Sequence, residues 1–432
     1  MAHQGEATPI TQSKEVQMFS RSRGLAHPAR RAPQRRLLGG ALTALFLSAC
    51  EPFANAQEFT TDAALLMRAS ALKPVSVEPA ESAAEGAAGG VALRVMAWNI
   101  KYGAGRLPFW FDCWGDRTVM TSAEVSQNME ALYAMIREAN PDVLMIEEVE
   151  VNSRRSAYFN MVQGILENTD LNYAAYFNTW DSRYIPSEGL GRMDLGNAIL
   201  SRHEIKEATR IRQQDRTDLD LVTEPFYIKR AIGRAVLKVG GGEVAAFVVH
   251  TEAYDEDGTK AAQIAQIKEV LDAEALPYVI GGDFNELPPT AARLEGFPDE
   301  RETALCSDEF SQPPYTPEVM SPYFNDLSPW LPLERFGTTE AEQARLFTHT
   351  VLGPDEVNEG GEAGDWNRTL DYLFASPGAV WREGASDVLQ RAGQRVGVLR
   401  EGDADTQGWA LTSNPLDLSD HAPVFGIVEV KP

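Results

Sequence analysis

The stretch LPYVIGGDFNELPP, residues 276–289, opens as an apolar strand, breaks at Gly281, Gly282, Asp283, Phe284 and Asn285, and is closed by Pro288 and Pro289. A buried acid and amide without partners are costly, so this pair is either the polar half of an ordinary turn or has something to hold. Asp283 and Asn285 are separated by one residue, which puts them on one side of an extended chain while Phe284 faces the other. The glycines permit close backbone approach, and the prolines end the strand.

The rest of the chain repeats the theme of strands with polar ends. Apolar or alternating runs predict strands over 93–99, 142–149, 173–178, 197–202, 231–239, 243–250, 278–283, 370–376 and 421–430. Helical spacing of apolar residues predicts helices over 122–139, with Ser122 as candidate cap, 156–168 and 259–274. The expected class is α/β, with two sheets packed face to face and flanked by helices. A chain of 432 residues that is 44% hydrophobic has ample apolar material for such a core. Segments 104–121, 296–344, 351–368 and 390–418 exceed ordinary connection lengths and are either functional lips or inserts.

The N-terminus does not belong to that core. Arg30, Arg31, Arg35 and Arg36 precede LLGGALTALFLSA at 37–49, a positive region followed by an apolar run too short to span a bilayer comfortably. Residues 1–50 are therefore expected to be an export signal. Its end, LSAC at 47–50, has the form of a lipoprotein signal with Cys50 as the lipidated residue and membrane anchor, and Ala54-Asn55-Ala56 offers a secretory cleavage site instead. The expected location is the outer membrane as a lipoprotein, or the periplasm or exterior. Residues 51–90, rich in Ala, Glu and Ser, are expected to be a flexible tether, with the folded domain at 91–432. Cys113 and Cys306 are then left to pair or to remain separate buried thiols. The formal net charge of −24 repels polyanions at long range, so a nucleic-acid or anionic-membrane partner needs local basic groups or divalent cations. That acidity also serves solubility, and charge alone names no substrate.

The polar residues fall at strand ends. Asn99 ends the first predicted strand, Glu147 and Glu148 the second and His250 another; Asp283 and Asn285 follow the opening strand, Asp371 lies in a late strand, and Asp420 and His421 begin the last. Ligands bind beyond strand ends in α/β folds. Oxygen donors from Glu, Asp and Asn, with no thiolate cluster and no closely spaced His pair, favour Mg²⁺, Mn²⁺ or Ca²⁺ over Zn²⁺.

The motifs WN (98–99), IEEV (146–149), GNAILSR (196–202), His250, GGDFN (281–285), LDYLFAS (370–376) and SDHAPV (419–424), in this order, resemble the endonuclease/exonuclease/phosphatase superfamily. The resemblance covers about 91–430 and implies the fold of pancreatic deoxyribonuclease, a four-layer α/β/β/α sandwich with two packed mixed β-sheets. It implies metal-dependent hydrolysis of phosphodiesters by an Asp-activated water, with nucleic acid the first substrate class and a phospholipid- or sphingomyelin-type phosphodiesterase or a phosphatase the rival; a surface binding protein that kept the fold but lost activity is a further alternative. Residue by residue, it assigns the metal to Asn99, Glu148 and Asp420. It assigns water activation and phosphate positioning to Asp283 and Asn285, and phosphate and leaving-group contacts to His250 and to His421 braced by Asp371. Asn197 is a candidate for substrate contact or for fixing the turn. Arg202 and Arg234 are either phosphate contacts or ordinary ion-paired arginines.

Two features depart from the family pattern. Val248 and Val249 stand before His250 where polar residues are common, and Lys101 stands near the first motif where some nucleases carry an acid. His203 and His349 match no motif and are expected to be surface or core histidines. The loop RLPFWFDCWGD, 106–116, carries Phe109, Trp110, Phe111 and Trp114, able to stack on bases, enter a lipid surface, wall a pocket or pack inward.

Overall fold

A computed structural model describes residues 66–68, 90–112, 115–253, 257–300, 317–396 and 409–432. The expected export signal, most of the tether, Cys50, Cys113, Cys306, Trp114 and the side chain of Phe111 lie outside the described residues.

The long strands are β1 (Val91–Asn99), β2 (Val143–Glu150), β3 (Tyr173–Ile185), β4 (Gly191–Ser201), β5 (Ile205–Arg212), β6 (Ala231–Val239), β7 (Gly242–His250), β8 (Tyr278–Asp283), β9 (Asp371–Ala375) and β10 (Val424–Val430). The main helices are α1 (Ser122–Ala139), α2 (Met161–Asn168) and α3 (Thr259–Ala273). One sheet runs β3-β4-β2-β1-β10, extended by short strands at Leu66–Arg68 beside β3 and at Val380–Trp381 and Asp387–Val388 beside β10. The other runs Ser328–Pro329, β9, β8, β7, β6, β5. Both are mixed: β1 pairs parallel with β2 across the α1 connection, and β7 pairs parallel with β8 across α3, while the other pairings are antiparallel. The architecture is the expected α/β sandwich of two packed mixed sheets with helices outside them.

Local signals explain the elements. The helix α1 is capped by Thr121, one residue before the predicted Ser122, through a capping box with Glu124; such a cap contributes about 1 kcal/mol. Its residues Met129, Leu132, Tyr133 and Ile136 join Met96, Trp98, Leu144 and Ile146 in the layer outside the first sheet. The strand β5 was not predicted. Half of its sequence IKEATRIR is charged, as suits an edge strand, paired only with β6 in its sheet.

Side chains alternate along a strand, and this sets the inner faces. A Cβ on Gly281 would meet Leu373, Ala97 and Met145, so these four positions face one another across the two sheets. Ala97 is in register with Met145, and Gly281 with Val248 and Leu373. Two residues further along each strand, on the same faces, lie Asn99, Glu147, Asp283 and His250, and two residues back along antiparallel β9 lies Asp371. The hydrophobic interface between the sheets thus ends in a row of polar groups. Among the described residues no helix is long and apolar enough to cross a membrane.

Candidate active site

The polar row has a part from each sheet. On the second sheet His250, Asp283 and Asp371 are register partners on three adjacent strands. On the first, Asn99 is the register partner of Glu147. The pairing of β2 with β4 shifts between Ile146 and Val149, a bulge at which Glu148 takes a left-handed φ of 56°. Two successive glutamates therefore reach the strand end instead of one.

The glycines of the opening stretch let these rows meet. Gly282 has φ 143°, and a Cβ there would sit 2.0 Å from the Val249 carbonyl oxygen and 2.9 Å from Glu147 Oε1. Only glycine fits this approach. Beyond it, Phe284 turns away into an aromatic cluster with Tyr323, Tyr372 and Phe374, ring centroids 5.4, 5.7 and 6.0 Å away. Asn285 is left-handed at φ 47°, its amide donates to the Thr251 carbonyl at 3.2 Å, and its own carbonyl accepts from Lys260 Nζ at 2.9 Å.

Asp283 is the hub. Its Oδ1 accepts the Asn285 backbone N–H at 2.8 Å and its Oδ2 accepts from Asn99 Nδ2 at 3.1 Å. His250 Nε2 lies 3.5 Å and His421 Nε2 3.6 Å from the same Oδ2. The other ring nitrogen of His421, Nδ1, is 2.8 Å from Asp371 Oδ2, which fixes its orientation. Asn99 Nδ2 also reaches Glu148 Oε1 at 3.2 Å. The Ser419 hydroxyl donates to the Asn99 carbonyl at 2.8 Å, and Trp98 Nε1 donates to the His421 carbonyl at 2.8 Å. These two bonds splice the Asp420–His421 corner onto the end of β1.

Burial and charge set the protonation states. Burial pushes the Asp283 carboxyl up, Asp371 adds to the rise, and His421 opposes it; the result is about 7. Burial works against protonated His421, but Asp371 and Asp283 outweigh it and raise the imidazole to about 10, so it is a cation. Burial, reinforced by Arg230 and His421, holds His250 well below the usual imidazole range, so it is neutral. Burial raises Glu147 and Glu148 as well. Asp420 moves the other way: burial opposes its ionisation, but Lys101, His421, His349 and Arg106 hold it well below the usual carboxylate range.

Most of the predicted site residues come together here: Asn99, Glu148, His250, Asp283, Asn285, Asp371, Asp420 and His421. Asn197 lies on the inner face of β4 beside the bulge, buried, with its amide nitrogen lacking a hydrogen-bond partner. Arg234 is placed elsewhere. It follows Gly233, which faces Phe177 between the sheets, so it points outward and is ion-paired with Glu274 at 2.6 Å and Glu207 at 3.1 Å. Arg202 lies near Asp142 and Asp170, an ion-paired arginine. Val248 and Val249 are fully buried core residues.

Three residues at the site carried little sequence signal. His349, expected at the surface or in the core, is buried with its ring centroid 4.6 Å from that of His421. Lys101 is buried, with Nζ 2.7 Å from Asp112 Oδ2 and 3.3 Å from Asp420 Oδ2. Arg230 is buried near His250, 3.7 Å from Glu252. Phe109 of the aromatic loop packs inward against Tyr102, ring centroids 5.1 Å apart.

The donor set suits a hard divalent cation. Both carboxylate oxygens of Glu147 and Oδ1 of Asp371 are buried without a hydrogen-bond partner, and Glu147, Glu148 and Asp283 are raised by burial first and by neighbouring carboxylates second. Asp283, Asp371 and His421 present ligand atoms within 4.8 Å of one another. In that trio the His421 cation already supplies positive charge, while the Glu148 carboxylate, beside Asn99, is more accessible and could also hold an ion.

Oxygen donors for a cation, a carboxyl poised near neutrality and an imidazolium braced by an acid, gathered at the strand ends of a two-sheet sandwich, are the equipment of a phosphoester hydrolase. The chain belongs to the Endonuclease/Exonuclease/phosphatase family, whose profile matches residues 96–421. Members of this family are hydrolases acting on phosphoester bonds and are generally dependent on a divalent metal. Among solved structures the chain is similar to an endonuclease/exonuclease/phosphatase from Beutenbergia cavernae, at 18% identity over 78% of this chain and 72% of that one, TM-score 0.43. It is similar to the human Nocturnin catalytic domain with bound sulfate, at 16% identity over 78% and 95%, TM-score 0.42. It is also similar to a mannosyl-6-phosphatase from Bacteroides thetaiotaomicron, at 17% identity over 78% and 99%, TM-score 0.42. No protein of curated function matches the chain.

Proposed function

We propose that the chain hydrolyses phosphodiester bonds with the aid of a divalent cation, and that nucleic acid is its first substrate class. The convergence of Asn99, His250 and His421 on one oxygen of Asp283, at 3.1, 3.5 and 3.6 Å, carries this reading. Attack of water on a phosphodiester needs a base for the incoming proton, and builds negative charge on the non-bridging and leaving oxygens. Asp283, raised to about 7, is matched to taking that proton near neutral pH. His421, kept cationic by Asp371, donates to the developing charge, and neutral His250 with the Asn285 amide positions the phosphate. Asn99, Glu148 and Asp420 would hold Mg²⁺ or Mn²⁺, with Ca²⁺ a weaker candidate, and such an ion when bound supplies Lewis acidity toward a phosphoryl oxygen.

The assay is hydrolysis of DNA, RNA, phospholipid and a generic aryl phosphodiester by the purified protein with Mg²⁺ or Mn²⁺. Metal-dependent cleavage of nucleic acid supports the reading, and preference for phospholipid moves the substrate class while keeping the chemistry. Inactivity on all four favours a binding protein on the same fold. We further propose that residues 1–50 direct export, with Cys50 lipidated, 51–90 as tether and 91–432 as the catalytic domain. Mass spectrometry of the mature N-terminus tests this, and an unprocessed Met1 in secreting cells contradicts it.

A further inference from the structure

Lys101 is a lysine set between two aspartates at the edge of the site. Its side chain is buried, and its ammonium touches Asp112 at 2.7 Å and Asp420 at 3.3 Å. Its backbone adopts a left-handed φ of 45°, followed by Tyr102 at 42°, a conformation that non-glycine residues take only where the surroundings impose it. The imposing contacts are on hand. The Lys101 N–H donates to Asn99 Oδ1 at 3.0 Å, so the residue that shares Asp283 and Glu148 also fixes the lysine. Asp112 is tied back by the Phe109 N–H at 3.2 Å, and Asp420 Oδ1 is reached by the Ser419 hydroxyl at 3.2 Å. The ammonium is therefore locked at the Asp420 end of the acidic row, while the charge of Arg155 near Glu148 at the other end is paired with Glu150 at 2.8 Å.

We propose that Lys101 is a positioning residue that stands as a fixed cation on Asp420 Oδ2 and restricts the centre to the one divalent ion that Asn99, Glu148 and Asp420 would hold. The inference rests on the metal-dependent reading above. A second ion bound through Asp420 Oδ2 would lie against the ammonium, like charge against like in a buried setting where screening is weak. Without the lysine, Asp112 and Asp420 would instead form a second pair of oxygen donors.

The test counts Mn²⁺ bound per chain by calorimetric titration and electron paramagnetic resonance, on the full chain and on Lys101→Gln and Lys101→Arg. The wild type is expected to bind one ion, Lys101→Gln to gain a second or to tighten overall binding by about 10-fold or more, and Lys101→Arg to keep one. Two ions on the wild type, or a Lys101→Gln titration superimposable on the wild type, overturns the proposal. Should Lys101→Gln fail to fold by circular dichroism, the wild-type count still decides, one ion supporting and two overturning. A wild type that binds no Mn²⁺ and hydrolyses nothing defeats the metal-dependent reading itself. A wild type that binds two ions and hydrolyses normally defeats this inference alone.

Discussion

The two parallel units of the sandwich, β1–α1–β2 and β7–α3–β8, reach the site by different means. In β7–α3–β8 the pairing stays regular to the end, so His250 and Asp283 stand side by side in register and Asp371 completes the row from the antiparallel neighbour. In β1–α1–β2 the regular pairing stops at Asn99 and Glu147, and the bulge that follows brings Glu148 in at a left-handed φ. Regular register fixes groups that must stay at hydrogen-bond distance from one another, as proton handling requires. A bulge gathers carboxylates more closely than an even pleat allows, as a cation site requires. On the proposed reading the second sheet carries the base Asp283 with His250 and Asp371, and the first carries Asn99, Glu148 and, ahead of β10, Asp420 and His421, with Asp283–Asn99 as one contact between them.

The largest effect should come from Asp283 in the regular row and from His421, which faces it from the head of β10 at 3.6 Å. Asp283→Asn or His421→Ala is expected to lower kcat by about 10²–10⁴-fold at saturating metal, with the metal concentration for half activity little changed. Steady-state kinetics over a metal titration checks both parts, and a loss that excess metal restores would place Asp283 on the wrong side of the division. Next in size, Glu148→Gln should raise the metal concentration for half activity by about 10-fold or more while kcat at saturation falls less than in Asp283→Asn.

A smaller effect concerns stability. Glu147, Glu148 and Asp283 are all raised, chiefly by burial. A carboxyl whose folded value is raised favours the fold while protonated. Its contribution is present below the ordinary value and is lost as pH rises through the folded one, which for Asp283 means between 3.8 and about 7. Buried neutral His250 acts in the opposite sense, so the comparison is with Asp283→Asn: chelated wild type should lose melting temperature relative to that variant across the interval, and Mg²⁺ should restore more of it at pH 8 than at pH 5. Thermal melts with chelator and with Mg²⁺ at both pH values settle this; an equal metal effect at both would contradict the crowded-carboxylate account. The smallest effect belongs to Arg234→Ala. It should leave kcat and KM unchanged and cost about 1 kcal/mol or less in denaturant unfolding, because its ion pairs lie on the outer face.

Much of this was legible in the sequence because strand geometry is periodic. The polar strand ends, the α/β class and the outward turn of Phe284 follow from strand periodicity, the close approach at Gly282 from the lack of a side chain, and eight of the predicted site residues meet in one place. Arg234 failed on the same rule: it is one residue from inward-facing Gly233, and parity along the strand decides the face. The edge strand β5 was missed because its charged side chains hide the alternation. His349 and Lys101 were undervalued because each is brought in by a long connection or a left-handed turn, and neither leaves a periodic trace.

The central claim is that Asp283 and a divalent ion act together on a phosphodiester. Its most direct test is the hydrolysis of a generic aryl phosphodiester by wild type and Asp283→Asn, each stripped by chelator and then resupplied with Mg²⁺. The account predicts wild-type activity that vanishes with chelator and returns with Mg²⁺, and an Asp283→Asn protein that binds the ion yet stays inactive. Wild-type hydrolysis that persists in chelator, or an Asp283→Asn protein as active as wild type, would contradict it.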